Sequence, residues 1–424
     1  SPARHASDNL ERGTFMAAAL HSPDVKGPRR FPTVLTAGFR FYFLSAGLFA
    51  VFSMLAWTLW LAAQAAGGDV ATVPMSMAPH LWHAHEMLYG YTVAVMAGFF
   101  ITAVPNWTGT REAGRVFVTA SGCVWLSGRL GIWFSGVFDP VAVALVDLAF
   151  IPILSTAILG RLAKKSQARN MIFLFLLTAL FLGNLLMHLD WIGWSNNTAE
   201  AGVRVGIFAS AAMIAIVGGR VVPAFTRNAL NREGYGVSLP QSNAWLDRAG
   251  ILLALLATLG SLPFVPEVLF GSVCFAAGGV NLVRLSGWRG WAVRKSPILW
   301  ILHVAYLLLA VGYLLYGSAL MLSFMSETAA LHLLAAGAIG SMTLAMMTRA
   351  SLGHSGRPLK VSRPIALAYL MVIAAALTRS FGSLAFDYFP VMLVSGFLWT
   401  GAFALFAWVY FPILAMPRPA SRSD

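Results

Sequence analysis

The chain has 424 residues, 58% of them hydrophobic and only 11% charged, against about 45–50% apolar and about 25% charged in an average soluble domain. With a mean hydropathy of +0.73, this composition excludes a water-soluble globular protein and a disordered chain alike, and makes a lipid bilayer the main solvent. The formal charge of +13 comes without a dense Lys/Arg run and interleaved aromatics, so nucleic acid is excluded as a partner and the basicity needs a topological cause.

A helix crosses a bilayer with about 20 mostly apolar residues, and the sequence predicts twelve such spans in chain order. Their limits are 36–64, 82–106, 115–136, 140–161, 170–191, 202–224, 246–262, 265–285, 297–320, 328–348, 364–385 and 389–413. Only the turn from Pro263 to Pro266 divides the seventh span from the eighth, so one kinked element is the alternative there. The expected fold is an all-α membrane protein, with residues 36–416 forming a single twelve-helix transmembrane domain. Residues 1–35 are expected to be a polar N-terminal tail without an apolar core of signal-peptide length, and 417–424 a short C-terminal tail.

Lys and Arg are retained on the cytoplasmic side during insertion. With both termini cytoplasmic, all of the 29 basic residues except Arg129, Arg204 and Arg379 fall in the tails, inner loops or inner helix ends. Asp69, Glu86, Asp139, Asp147, Asp190, Glu200, Glu267, Glu327 and Asp387 gather on the outer side. The high pI is thus a topology signal. The longest inner loop, 225–245, divides the spans six and six, as in a twelve-span secondary transporter without a metal cofactor. A second period competes with that division. Spans two, six and ten close on Val104-Pro105-Asn106-Trp107-Thr108, Val222-Pro223-Ala224-Phe225-Thr226 and Met346-Met347-Thr348-Arg349, the threonines 118 and 122 residues apart. That spacing suggests three four-helix units.

Ionisable groups within a bilayer are costly and are functional candidates by default. His80, His83, His85, His188 and His332 converge on one level near the outer face from spans two, five and ten. Residues two apart on a helix point about 200° from each other, so His83 groups with Met87 and His85 with Tyr89. Imidazoles facing opposite ways suit two neighbouring centres, such as a haem iron and a copper, with Met87 as a soft ligand. Arg129, Arg204 and Arg379, at the same depth, match haem propionates or else pair with Asp139, Asp147 or Glu86. Glu86 and Asp147 are buried carboxylates suited to proton delivery or metal ligation. His303 and His354 lie near the inner face, where they are candidates for a second haem or for structural roles. Cys123 and Cys274, inside apolar runs, read as packing residues, and Gly202 with Gly206 as a helix-packing pair. No phosphate-binding loop or zinc-type spacing is present.

The stretches His83-Ala84-His85-Glu86-Met87-Leu88-Tyr89-Gly90, Thr102-Ala103-Val104-Pro105-Asn106-Trp107-Thr108-Gly109, Gly219-Arg220-Val221-Val222-Pro223-Ala224-Phe225-Thr226-Arg227-Asn228 and Thr348-Arg349-Ala350-Ser351-Leu352-Gly353-His354-Ser355-Gly356-Arg357-Pro358 resemble the signature of the NnrS family. The resemblance implies a bacterial inner-membrane protein that contains haem, expected to be b-type, and copper. It implies a link to nitric oxide metabolism and nitrosative stress, and it bears most directly on His83, His85, His332 and His354. Reduction of nitric oxide, detoxification of nitrosyl species and sensing all stay open. Reduction would require an electron donor, a quinol or a redox protein. The transporter reading instead predicts polar residues at the bilayer midplane on broken helices.

Overall fold

The computed structural model describes residues 32–68, 74–164, 168–232, 234 and 239–417. The expected tails lie outside these residues up to 31 and from 418 onward, as does Asp69. Twelve long helices follow in chain order: α1 (Gly38–Ala65), α2 (Pro79–Thr108), α3 (Arg115–Trp133), α4 (Pro140–Ala163), α5 (Ile172–Ile192), α6 (Ala199–Arg232), α7 (Ala244–Gly260), α8 (Glu267–Ser286), α9 (Pro297–Leu322), α10 (Glu327–His354), α11 (Arg363–Leu384) and α12 (Tyr388–Ala415). All except α7, at 17 residues, are long and apolar enough to cross a membrane. Each predicted span has its helix, and the seventh and eighth are separate, α8 starting directly after Pro266.

The loop placed at 225–245 begins later, because α6 runs on to Arg232 through Pro223. The Thr226 hydroxyl donates to the Val222 carbonyl at 2.9 Å, and Thr226 and Leu230 are buried. Packing against neighbours and a hydroxyl on the backbone hold the helix past its proline.

The packing follows the period of four. Helices α2, α6 and α10 are the most buried, with 83%, 89% and 72% of their apolar windows inside the protein. In each, the repeated threonine bonds back one turn: Thr108 to Val104, Thr226 to Val222 and Thr348 to Leu344. The preceding helix lies against each of them, α1 on α2, α5 on α6 and α9 on α10. The fourth helix of each group packs on the first of the next, α4 on α5 and α8 on α9, and α12 packs along α1. Because α6 belongs to the same central trio as α2 and α10, the bundle is not divided six and six.

Apolar side chains also cover the outside. Leu126 and Leu130 of α3, Leu252, Leu256 and Leu259 of α7, and Leu367, Leu370 and Leu377 of α11 are exposed at three-, four- and seven-residue spacing. Such stripes suit lipid as solvent, and the exposed Trp194 and Trp291 lie beyond helix ends while the exposed Trp245 sits in the first turn of α7, as interfacial tryptophans do. Cys274 is packed inside, whereas Cys123 lies on an exposed face of α3, so the packing role expected of it does not hold. The close approach of α5 and α6 depends on glycine: a Cβ on Gly183 would lie 2.9 Å from the Gly202 carbonyl, and one on Gly202 would lie 2.7 Å from Met187 Cγ. From α2, the Tyr89 hydroxyl donates to the Gly202 carbonyl at 2.7 Å.

Candidate functional site

The starts of α2, α4, α6 and α10 and the ends of α3, α5 and α11 share one end of the bundle. There the predicted outer residues fall into two separate groups, on opposite sides of α2.

The first group lines a cavity of about 410 Å³. His80, His83 and Met87 reach it from α2, Arg204 from α6, His332 from α10 and Arg379 from α11. His80 is exposed near the helix start. The His83 ring stacks on Trp57 at 4.9 Å between centroids, nearly parallel at 12°, and its buried Nδ1 has no hydrogen-bond partner. His332 Nδ1 lies 2.7 Å from the Thr328 carbonyl one turn back, a contact that makes Nδ1 the donor and leaves Nε2 with its lone pair. The Ser53 hydroxyl lies 3.3 Å from Met87 Sδ. Arg204 and Arg379 make no ion pair among the described residues, and the buried Arg204 Nε is unpartnered. Glu200 and Glu327 also line the cavity, the latter accepting from Tyr316 at 3.3 Å.

The second group is a polar knot between α2, α3, α4 and α5, with every member almost fully buried. Arg129 bridges the two carboxylates, contacting Glu86 at 2.5 Å through Nη1 and Asp147 through Nη2. His85 Nδ1 lies 2.8 Å from Glu86 Oε1, and its Nε2 lies 2.8 Å from Asn184 Oδ1 and 3.3 Å from Asp147 Oδ2. Asp147 Oδ2 also accepts from Asn184 at 2.8 Å and meets His188 Nε2 at 2.9 Å. His85, Asp147 and His188 each offer one ligand atom, all within 4.8 Å of one another. Two imidazoles and a carboxylate at this separation form a donor set for a transition metal.

Helical angle explains the division. His83 and Met87 share the cavity face, whereas His85 turns to the knot beside Tyr89, the two rings 5.3 Å apart. Arg129 is engaged by two acids, while Arg204 and Arg379 face the cavity. Asp139, the other acid considered for pairing, caps α4 by accepting from the Ala142 amide. His303 and His354 lie toward the opposite end and have separate partners. His303 Nε2 is 2.9 Å from the Thr226 hydroxyl, and the exposed His354 ring lies 5.4 Å from Phe39 of α1.

Two features escaped the sequence. Asn184 sits one turn before His188 on α5, so the i, i+4 rule applied to that histidine could have found it. The other is a pair of π-helical segments, Glu86–Thr92 in α2 and Leu333–Ile339 in α10, which begin directly after His85 and His332. Wide π turns are rare and recur at functional sites.

An all-helical, multi-pass membrane protein with a histidine- and arginine-lined cavity beside a buried two-histidine, one-carboxylate knot is the class that fold and site define. A family model described as NnrS protein matches residues 33–418. The chain therefore belongs to the NnrS family, membrane proteins known for metal binding and linked to the response to nitric oxide. No curated protein matches it.

Proposed function

We propose that the protein binds haem in the large cavity and copper in the knot, and that it reduces nitric oxide there as part of protection against nitrosative stress. The observation that carries this reading is the division of neighbouring histidines on one helix, His83 facing the cavity with His332 and His85 facing the knot with His188. The cavity residues fit a haem: an unpartnered imidazole nitrogen, an imidazole whose tautomer a carbonyl fixes, and two arginines that make no ion pair among the described residues and could take propionates. His83 and His332 would hold the iron, Arg204 and Arg379 the propionates, with Met87 and His80 at the rim. His85, His188 and Asp147 fit copper by number and kind of donor.

When bound, the two metals would supply coordination sites for nitric oxide and the redox change needed to turn two molecules, two electrons and two protons into nitrous oxide and water. The chain's own part is positional and protonic. Glu86 and Asp147, hydrogen-bonded to His85 and His188, are the groups that hold and pass protons, and Arg129 keeps both carboxylates in place. Trp57 fixes the His83 ring by stacking. Electrons come from a quinol or a redox protein. We place the protein in the bacterial inner membrane with both termini cytoplasmic and the cavity at the outer face. Purified protein should be red, with a Soret band and stoichiometric copper, and should consume nitric oxide when given a reductant. A folded, colourless and copper-free preparation would overturn the reading.

A further inference from the structure

Below the large cavity, on the axis of the central trio, lies a second cavity of about 70 Å³ between α2, α6 and α10. Val95, Met96, Met213, Val217, Met342 and Met346 form much of its wall. The hydroxyls that reach it are already engaged. Thr92 donates to the Met87 carbonyl at 2.8 Å, Ser210 to Gly206 at 2.8 Å, and Thr343 to Ile339 at 2.6 Å. A buried water needs two to four polar partners, and the protons of these hydroxyls are already committed, so the wall offers water no free hydroxyl donor and holds it poorly. Thr92 and Ile339 line both cavities, and they are the last residues of the two π-helical segments. The two spaces thus adjoin at the level where both π segments end.

We infer that this chamber is a binding site for small neutral gas molecules, which it takes up and delivers past Thr92 and Ile339 to the large cavity; nitric oxide is the molecule delivered if the function proposed above holds. A small, weakly polar diatomic forfeits little hydration on entry, and dry apolar cavities of this kind bind xenon. Methionines in the wall are unbranched and polarizable, so they can yield to a passing molecule without a polar barrier. Charged or strongly hydrogen-bonding substrates are excluded by the same wall.

The test uses xenon on the full chain in nanodiscs, followed by xenon-129 NMR and by nitric oxide association after flash photolysis. Saturable xenon binding is expected in the wild type, reduced or lost in Val217→Phe, which fills the chamber, and strengthened in Met213→Ala, which enlarges it. Haem absorbance should be the same in all three, with nitric oxide association slowed severalfold in Val217→Phe. Wild-type protein that binds no xenon, or xenon binding indifferent to both variants, overturns the chamber while leaving the haem reading intact. Loss of xenon in Val217→Phe with unchanged nitric oxide association overturns delivery. If the protein carries no haem, the functional reading falls and the xenon titrations of the three proteins still decide the chamber.

Discussion

At the scale of single residues, the consequence of the two-sided α2 is that neighbouring histidines should fail separately. Replacing His83 or His332 with Ala removes a side chain from the cavity, and haem should be lost while copper stays. Replacing His85 or His188 with Ala should remove copper and leave the Soret band. Metal content and absorbance of the four variants check this, and simultaneous loss of both cofactors in every variant would mean a single shared centre. Arg129 carries a different burden, because it is the cation between two buried carboxylates. Breaking a buried ion pair by removing one partner costs about 3–5 kcal/mol, since the remaining charge is left uncompensated. Arg129→Leu should therefore lower the thermal unfolding temperature in detergent markedly, and Arg129→Leu combined with Asp147→Asn should recover part of the loss. Equal stability of Arg129→Leu and wild type would show that the knot does not depend on this cation.

At the scale of the helix, the π-helical segments begin directly after His85 and His332, so their winding should set how these histidines are turned relative to the rest of α2 and α10. Deleting Ala336 from Leu333–Ile339 would return that stretch toward regular α-helix and rotate everything before it by about 100° with a rise of about 1.5 Å. His332 should swing off the cavity, so the deletion variant should insert at wild-type level yet lose haem, measured as absorbance per folded chain. Retained haem would show that the π turn is not what places this ligand. These segments also mark a limit of what the sequence discloses. Twelve helices could be read from it because hydropathy over about 20 residues is a local property, and the opposite facing of His83 and His85 follows from helical angle alone. The partners of each face depend on which helices come together, and apolar sequence on every side of a buried helix carries little record of that. Arg129 could thus be placed at the right depth without disclosing whether carboxylates or the cavity would take its guanidinium. The π turns left no trace, since the apolar pattern of Leu333–Ile339 suits either winding. The threonine period was legible, and its meaning emerged only when Thr108, Thr226 and Thr348 proved to close equivalent turns of the three central helices.

At the scale of the whole molecule, the supply of gas, protons and electrons depends on which face of the membrane the cavity opens to. Three helices contribute the cavity histidines and arginines most directly, α2, α6 and α10, with Arg379 added from α11, and all of these residues lie at one end. In the orientation proposed above that end faces outward, on the ground that positive loops are retained in the cytoplasm. In a background with Cys123 and Cys274 replaced, an introduced cysteine at Asn196, between α5 and α6, should react with a membrane-impermeant thiol reagent in intact cells. One at Ser242, between α6 and α7, should react only after the cells are broken open. Both positions are exposed, so a difference between them reports sidedness and not burial. The reverse pattern would turn the bundle over, place the cavity on the cytoplasmic side, and require electrons and protons to reach it from there; an unchanged pattern with haem present would fix the cavity as a site fed from outside the cell membrane or from within the lipid.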